Sequence, residues 1–84
     1  MKLRFRTKPV KKGGVWHHED EDLVDGIEGV EVTYHFVGNE AKWVEVTIDS
    51  DNPATRKSLE DKKIDIDKLV IALRERGREV KKMQ

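Results

Sequence analysis

Two runs of alternating residues separated by a turn constrain this chain more than any other feature. Residues 30–37 put Val30, Val32, Tyr34 and Phe36 on one side and Glu31, Thr33, His35 and Val37 on the other. Residues 42–49 put Val44, Val46 and Ile48 on one side and Trp43, Glu45, Thr47 and Asp49 on the other. A period of two is the signature of a strand with one buried face, and Val, Thr, Tyr and Phe suit a pleated, half-buried surface. Gly38-Asn39-Glu40 lies between the runs and reads as a turn, so they form an antiparallel hairpin. Parity limits the pairing, because a one-residue slip sends the apolar row to the wrong face. Opposed residue numbers must therefore sum to an even value, which implies an odd loop, most simply of three residues. A sum of 80 sets His35 against Glu45 and Val37 against Trp43; a sum of 78 sets His35 against Trp43.

Residues 2–7 alternate in the same way, with Leu3 and Phe5 opposed to Lys2, Arg4 and Arg6. They form a third strand, closed by Pro9 and a Gly13-Gly14 turn. Residues 15–28 show no sustained period and read as a loop, with one helical turn around Asp20–Val24. Trp16 serves as a core plug beneath it. Asn52-Pro53 is an N-cap followed by proline at the first helical position, predicting a short helix to about Asp61 with Ala54 and Leu59 as its apolar contacts. The main helix is expected over 67–76, capped by Asp67, stapled by Ile66 and Ile71, and stopped by Gly77. Ile66, Leu69, Val70 and Leu73 form its apolar face. Residues 78–83 are available for a short edge strand through Val80. The expectation is one α+β domain over 1–84. The 30–49 hairpin sits at the centre of a three- to four-stranded antiparallel sheet (2–7, 30–37, 42–49 and 78–83), with the helix packed on one face.

The chain has 84 residues and no cysteine. Thiol nucleophiles, disulfides, Fe–S clusters and cysteine zinc sites are thereby excluded. No apolar run approaches the length of a membrane span, and the first six residues lack a signal-peptide core, so the expectation is a cytoplasmic protein. The many charges and few amides match both thermophile and designed compositions. The formal net charge of zero conceals strong sorting. Residues 1–12 carry +6, residues 17–31 carry −7 and residues 74–84 carry +3.

Candidate sites follow from this sorting. Trp43, His35 and Val37 fall on the hairpin face not assigned to the core, where a partner protein could dock. The acidic segment with Glu19, Asp20, Glu21 and Asp22 is a second protein-binding candidate. A nucleic-acid interface would use the basic residues Arg4, Arg6, Lys8, Lys11, Lys12, Arg74, Arg76 and Arg78, together with Lys81 and Lys82. His17 and His18 beside four carboxylates offer metal donors, but adjacent residues of an extended segment point apart and the calcium-loop order is missing. Neither a metal nor another cofactor is expected. His35 with Glu45 or Asp49 lacks a nucleophile beside it, so no catalytic residue is assigned and no enzyme is expected. The functional reading is a small non-enzymatic interaction module, monomeric or homodimeric, whose partner is another protein. The alternatives are a nucleic-acid-binding domain and a designed or scaffold protein without a natural ligand.

Overall fold

Leu3, Phe5 and Thr7 are buried and alternate with Lys2, Arg4 and Arg6, and the strand they form, β1 (Lys2–Thr7), lies inside the sheet. The computed structural model describes residues 1–83. After β1 come β2 (Pro9–Lys12), β3 (Val15–His18), α1 (Glu21–Val24), β4 (Glu31–Val37), β5 (Glu40–Asp49), α2 (Pro53–Asp61), α3 (Ile66–Glu75) and β6 (Lys81–Met83). The fold is α+β, with a four-stranded antiparallel sheet in the order β4-β5-β1-β6 and a separate β2–β3 hairpin. The hairpin expected at the centre therefore contributes one central strand, β5, and one edge strand, β4. The expected strand at 78–83 shortens to Lys81–Met83, because Val80 turns into the core.

The β4–β5 register follows a sum of 78 from Glu31↔Thr47 to His35↔Trp43, then shifts to 77 for Phe36↔Ala41 and Val37↔Glu40. Lys42 is the extra residue of a β-bulge. The bulge absorbs the odd residue that parity demanded, so the loop has two residues, Gly38 and Asn39, instead of three. Gly38 takes φ +63°, as a tight hairpin turn requires.

Val44, Val46 and Ile48 of β5 and Leu3 and Phe5 of β1 form the inner row of the sheet, all at 1 % exposure or less. Leu69, Val70 and Leu73 of α3 cluster with them, as do Val24, Ile27, Leu59 and Val80. Along β4 the apolar row is covered only in part. Tyr34 and Val30 pack against the core, whereas Val32 and Phe36 stay exposed because no further strand lies beyond them.

The expected loop at 15–28 is more regular than its pattern predicts. Val15–His18 pairs with Pro9–Lys12 across the Gly13-Gly14 turn. Pro9 thus begins a strand, a position that tolerates its missing N–H, and does not simply end β1. Trp16 is half-buried and meets Phe36 edge-on at 6.1 Å, with the Lys11 ammonium 5.4 Å over its ring. It is a lid on the β4 edge and not a plug in the main core.

The N-cap of α3 is Asp65, which accepts from the Asp67 N–H at 2.9 Å, and not Asp67. Asp67 falls in the first turn, where its charge suits the helix dipole. The two-residue shift leaves Ile71 exposed and puts Ile64 and Leu69, both packed on the core, at the staple positions. At the other end the Arg78 N–H donates to Leu73 O and the Gly77 N–H to Arg74 O, with Gly77 at φ +86°. This is a Schellman stop, and it fixes the directions of Arg76 and Arg78.

In α2, Asn52 accepts from the Ala54 and Thr55 amides behind Pro53. Ala54 is exposed, and the buried face is instead Thr55, Ser58 and Leu59. The Thr55 hydroxyl donates to Glu28 O at 2.6 Å, and Ser58 Oγ donates to Gly26 O at 3.2 Å. These bonds pair carbonyls of the 26–28 turn and tie it to α2. Gly29 is required beside them: its φ is +77°, and a Cβ would collide with Thr55 Oγ1.

Leu73 has no exposed surface and touches both sheet and helix layers of the core. Leu73→Ala is expected to lower stability by about 2–4 kcal/mol, read as a fall in the urea midpoint with an unchanged m-value.

Candidate functional site

The sheet face opposite α2 and α3 carries the alternate residues of β1 and β5. Trp43 on β5 stands directly across from His35 on β4, and Arg6 on β1, whose own register partner is Glu45, reaches Trp43 diagonally. The His35 ring stacks on Trp43 with centroids 4.6 Å apart and planes 11° from parallel. The Arg6 guanidinium lies 5.2 Å over the Trp43 ring, within the range of a cation–π contact. The row exists because the 78 register sets His35 directly against Trp43. The indole N–H of Trp43 is buried without a hydrogen-bond partner among the described residues, which costs about 1–3 kcal/mol.

Beside this row runs an open groove of about 750 Å³, bounded by β5, β1 and the 77–83 segment. Arg4, Arg6, Lys8, Lys42, Arg78, Lys81 and Lys82 line it against only Glu45 and Glu79. The lining thus holds seven bases and two acids, although Arg78 is spent on Asp20 and Glu19, and Lys42 Nζ lies 3.4 Å from Glu40. Arg4 is partly neutralised, since its Nε lies 3.1 Å from Glu45 and 3.4 Å from the Thr47 hydroxyl. Arg6, Lys8, Lys81 and Lys82 have no carboxylate partner among the described residues.

The acidic segment is engaged elsewhere. Asp20 is fully buried, and its two oxygens accept from Arg76 Nη1 at 3.1 Å and Arg78 Nε at 2.7 Å. Asp22 takes the Arg76 fork at 2.8 and 2.6 Å, and Glu19 takes Arg78 Nη2 at 2.9 Å. Burial pushes the Asp20 carboxyl up, but bonds from Arg78 and Arg76 outweigh it and hold the group below its ordinary range. The buried Thr7 hydroxyl acts in the same direction, although it makes no hydrogen bond of ordinary geometry.

Glu21 is also engaged. Both of its oxygens lie 3.0 Å from His17 Nδ1, and one accepts the His18 amide at 3.0 Å. His18 turns inward and accepts the Asp20 N–H on Nδ1 at 3.2 Å. Among the described residues no group of three or more His, Asp or Glu is arranged to hold a metal ion.

The sequence candidates therefore divide. Arg4, Arg6, Lys8 and Arg78 meet in the groove with Lys81 and Lys82, and Trp43 joins them. Arg76 is committed to Asp20 and Asp22, Arg74 donates to Val80 O at 3.4 Å, and Lys11 and Lys12 lie on the β2–β3 hairpin. His35 and Trp43 are together, while Val37 lies two residues past His35 on the free edge at 62 % exposure. Lys42 enters the groove because it is the bulged residue.

No helix among the described residues is long and apolar enough to cross a membrane. No protein family, curated protein or solved structure matches this chain.

The buried imidazole makes stability depend on pH. Burial lowers the pKa of His18 below 6.5 and Arg78 adds to this, against the upward pull of Glu21, Asp20 and Asp25. The unfolded chain takes up this proton before the folded one does, so stability is lost as pH falls below about 6.5, at up to about 1.4 kcal/mol per pH unit. Urea midpoints from pH 7 to pH 5 are expected to fall, and His18→Asn, which keeps an acceptor for the Asp20 amide, is expected to flatten that slope.

Proposed function

We propose that this chain is a non-enzymatic binding module for single-stranded nucleic acid, which it takes along the groove on the open sheet face. The observation that carries the reading is the surplus of positive charge in the groove beside the Arg6–Trp43–His35 row. Phosphates would be met by Arg6, Lys8, Lys81 and Lys82, whose charges are not spent on internal carboxylates. Neutralising a phosphate backbone releases counterions and supplies most of such affinity. An open antiparallel sheet offering aromatic and guanidinium groups is a recurrent way to hold unpaired bases. The Trp43 ring is already in contact with both Arg6 and His35, so bases would meet the ring edges and the outer face of Arg6.

The engagement of Glu19, Asp20 and Asp22 supports the same reading. Their three charges are met by the two of Arg76 and Arg78, so they oppose a polyanion less than the sequence implies. The same engagement weighs against a protein partner held by the acidic segment. A protein partner on Trp43, His35 and Val37 keeps support at one place, the exposed β4 edge beyond His35.

Fluorescence anisotropy with a labelled oligothymidine tests the proposal. Affinity is expected to fall with salt at a slope of about −3 in log–log form, from four or so phosphate contacts at about −0.7 each. Arg6→Glu is expected to weaken binding by about tenfold or more while leaving the melting temperature close to wild type. Undetectable binding at low salt, or equal binding by Arg6→Glu, would contradict the reading.

A further inference from the structure

We propose that β4 pairs with β4 of a second copy of this chain, antiparallel and about a two-fold axis at Tyr34, to join two four-stranded sheets into one. The inference rests on the contrast between the two edges of the sheet. At one edge, β6 is three residues long and carries Lys81 and Lys82, the short and charged form that discourages further pairing. At the other, β4 runs for seven residues with no proline, no lysine or arginine and no bulged residue of its own. Its N–H and C=O groups on the free side form a template that another strand of the same kind satisfies.

The side chains select a second copy and a register. A two-fold axis perpendicular to the sheet keeps each residue on its own face, so opposed numbers again sum to an even value. A sum of 68 sets Tyr34 on the axis, Val32 against Phe36 of the partner, and Thr33 against the partner's His35. Val32 is 40 % exposed although Val46 and Phe5 in line with it are at 1 % or less, and Phe36 is 50 % exposed beside buried Ala41 even with the Trp16 ring edge-on at 6.1 Å. The pairing gives each of them a cross-strand apolar neighbour on the free side of β4, twice over by symmetry, with Trp16 remaining on Phe36. It also puts Glu31, the one charged residue of β4, against the partner's exposed Val37 and far from its own symmetry mate. Like charges are thus not opposed. The contact involves neither the basic groove nor its ligand, so it stands apart from the nucleic-acid reading. Were both to hold, the two grooves would share one face, with the β1 strands about 24 Å apart.

A single strand pair is a small interface, so the dimer is expected to form at NMR concentrations and to dissociate on dilution. Val32 and Phe36 of one chain lie four residues apart along a strand, about 13 Å. In an isotope-filtered experiment, a nuclear Overhauser contact between the Val32 methyls and the Phe36 ring reports only contacts between two chains. An isotope-filtered experiment on a mixture of labelled and unlabelled wild-type protein is expected to show it. Light scattering should give the mass of two chains at the same concentration, and Val32→Lys, checked for folding by circular dichroism, should give the mass of one. A single-chain mass for wild type at NMR concentration would overturn the proposal. So would a dimer that lacks the Val32–Phe36 contact and persists in Val32→Lys.

Discussion

The fold turns on one buried carboxylate. Asp20 has no exposed surface and takes hydrogen bonds from two arginines that follow α3, 56 and 58 residues further along the chain. An isolated ionised carboxylate could not be buried at this depth; here both oxygens are met by charged donors. Those donors are in place because the Schellman stop at Gly77 ends α3 and aims Arg76 and Arg78 at the β3–α1 junction. Asp20 therefore ties the β2–β3 hairpin and α1 to the end of α3 and to the approach into β6. Removing it would leave Arg78, only 12 % exposed, without its main partner.

The same contact explains how a chain of zero net charge keeps a strongly basic groove. The acidic segment draws both Arg76 and Arg78, which meet three of its seven carboxylates, Glu19, Asp20 and Asp22. The bases of β1, Lys42 of the bulge and the lysines of β6 then remain on the open face with few acids among them. Sorting of charge along the sequence thus becomes sorting between surfaces. The proposed nucleic-acid function uses one of these surfaces, and the proposed dimer uses the β4 edge, whose one carboxylate is Glu31.

What the sequence made legible was set by local periodicity. The alternation of 2–7, 30–37 and 42–49 specified three strands and their inner faces, and Asn52-Pro53 and Gly77 marked real helix ends. Sheet order is a tertiary property, so nothing in residues 30–37 announced that β4 lies at an edge and leaves Val32 and Phe36 half covered. The β2–β3 hairpin escaped because four residues per strand are too few to display a period, and Pro9 reads as a terminator when it is a strand's first residue. Asp65 and Asp67 both suit an N-cap, and only the hydrogen bond from the Asp67 amide decides between them. The groove was half visible as a cluster of basic residues near both chain ends. The consumption of Arg76 by Asp20 and Asp22 was not visible, since a contact across so many residues leaves no local trace.

The most direct test of the account is native-state hydrogen exchange on Asp20→Ala beside wild type. Loss of one partner from a buried ion cluster is expected to lower global stability by about 3 kcal/mol. Amides of Val15–His18 and of Lys81–Met83, far apart in sequence but joined through Asp20, should lose protection together. A variant that loses less than about 1 kcal/mol, with faster exchange confined to the residues around position 20, would contradict the claim that this carboxylate holds the two halves of the chain in place.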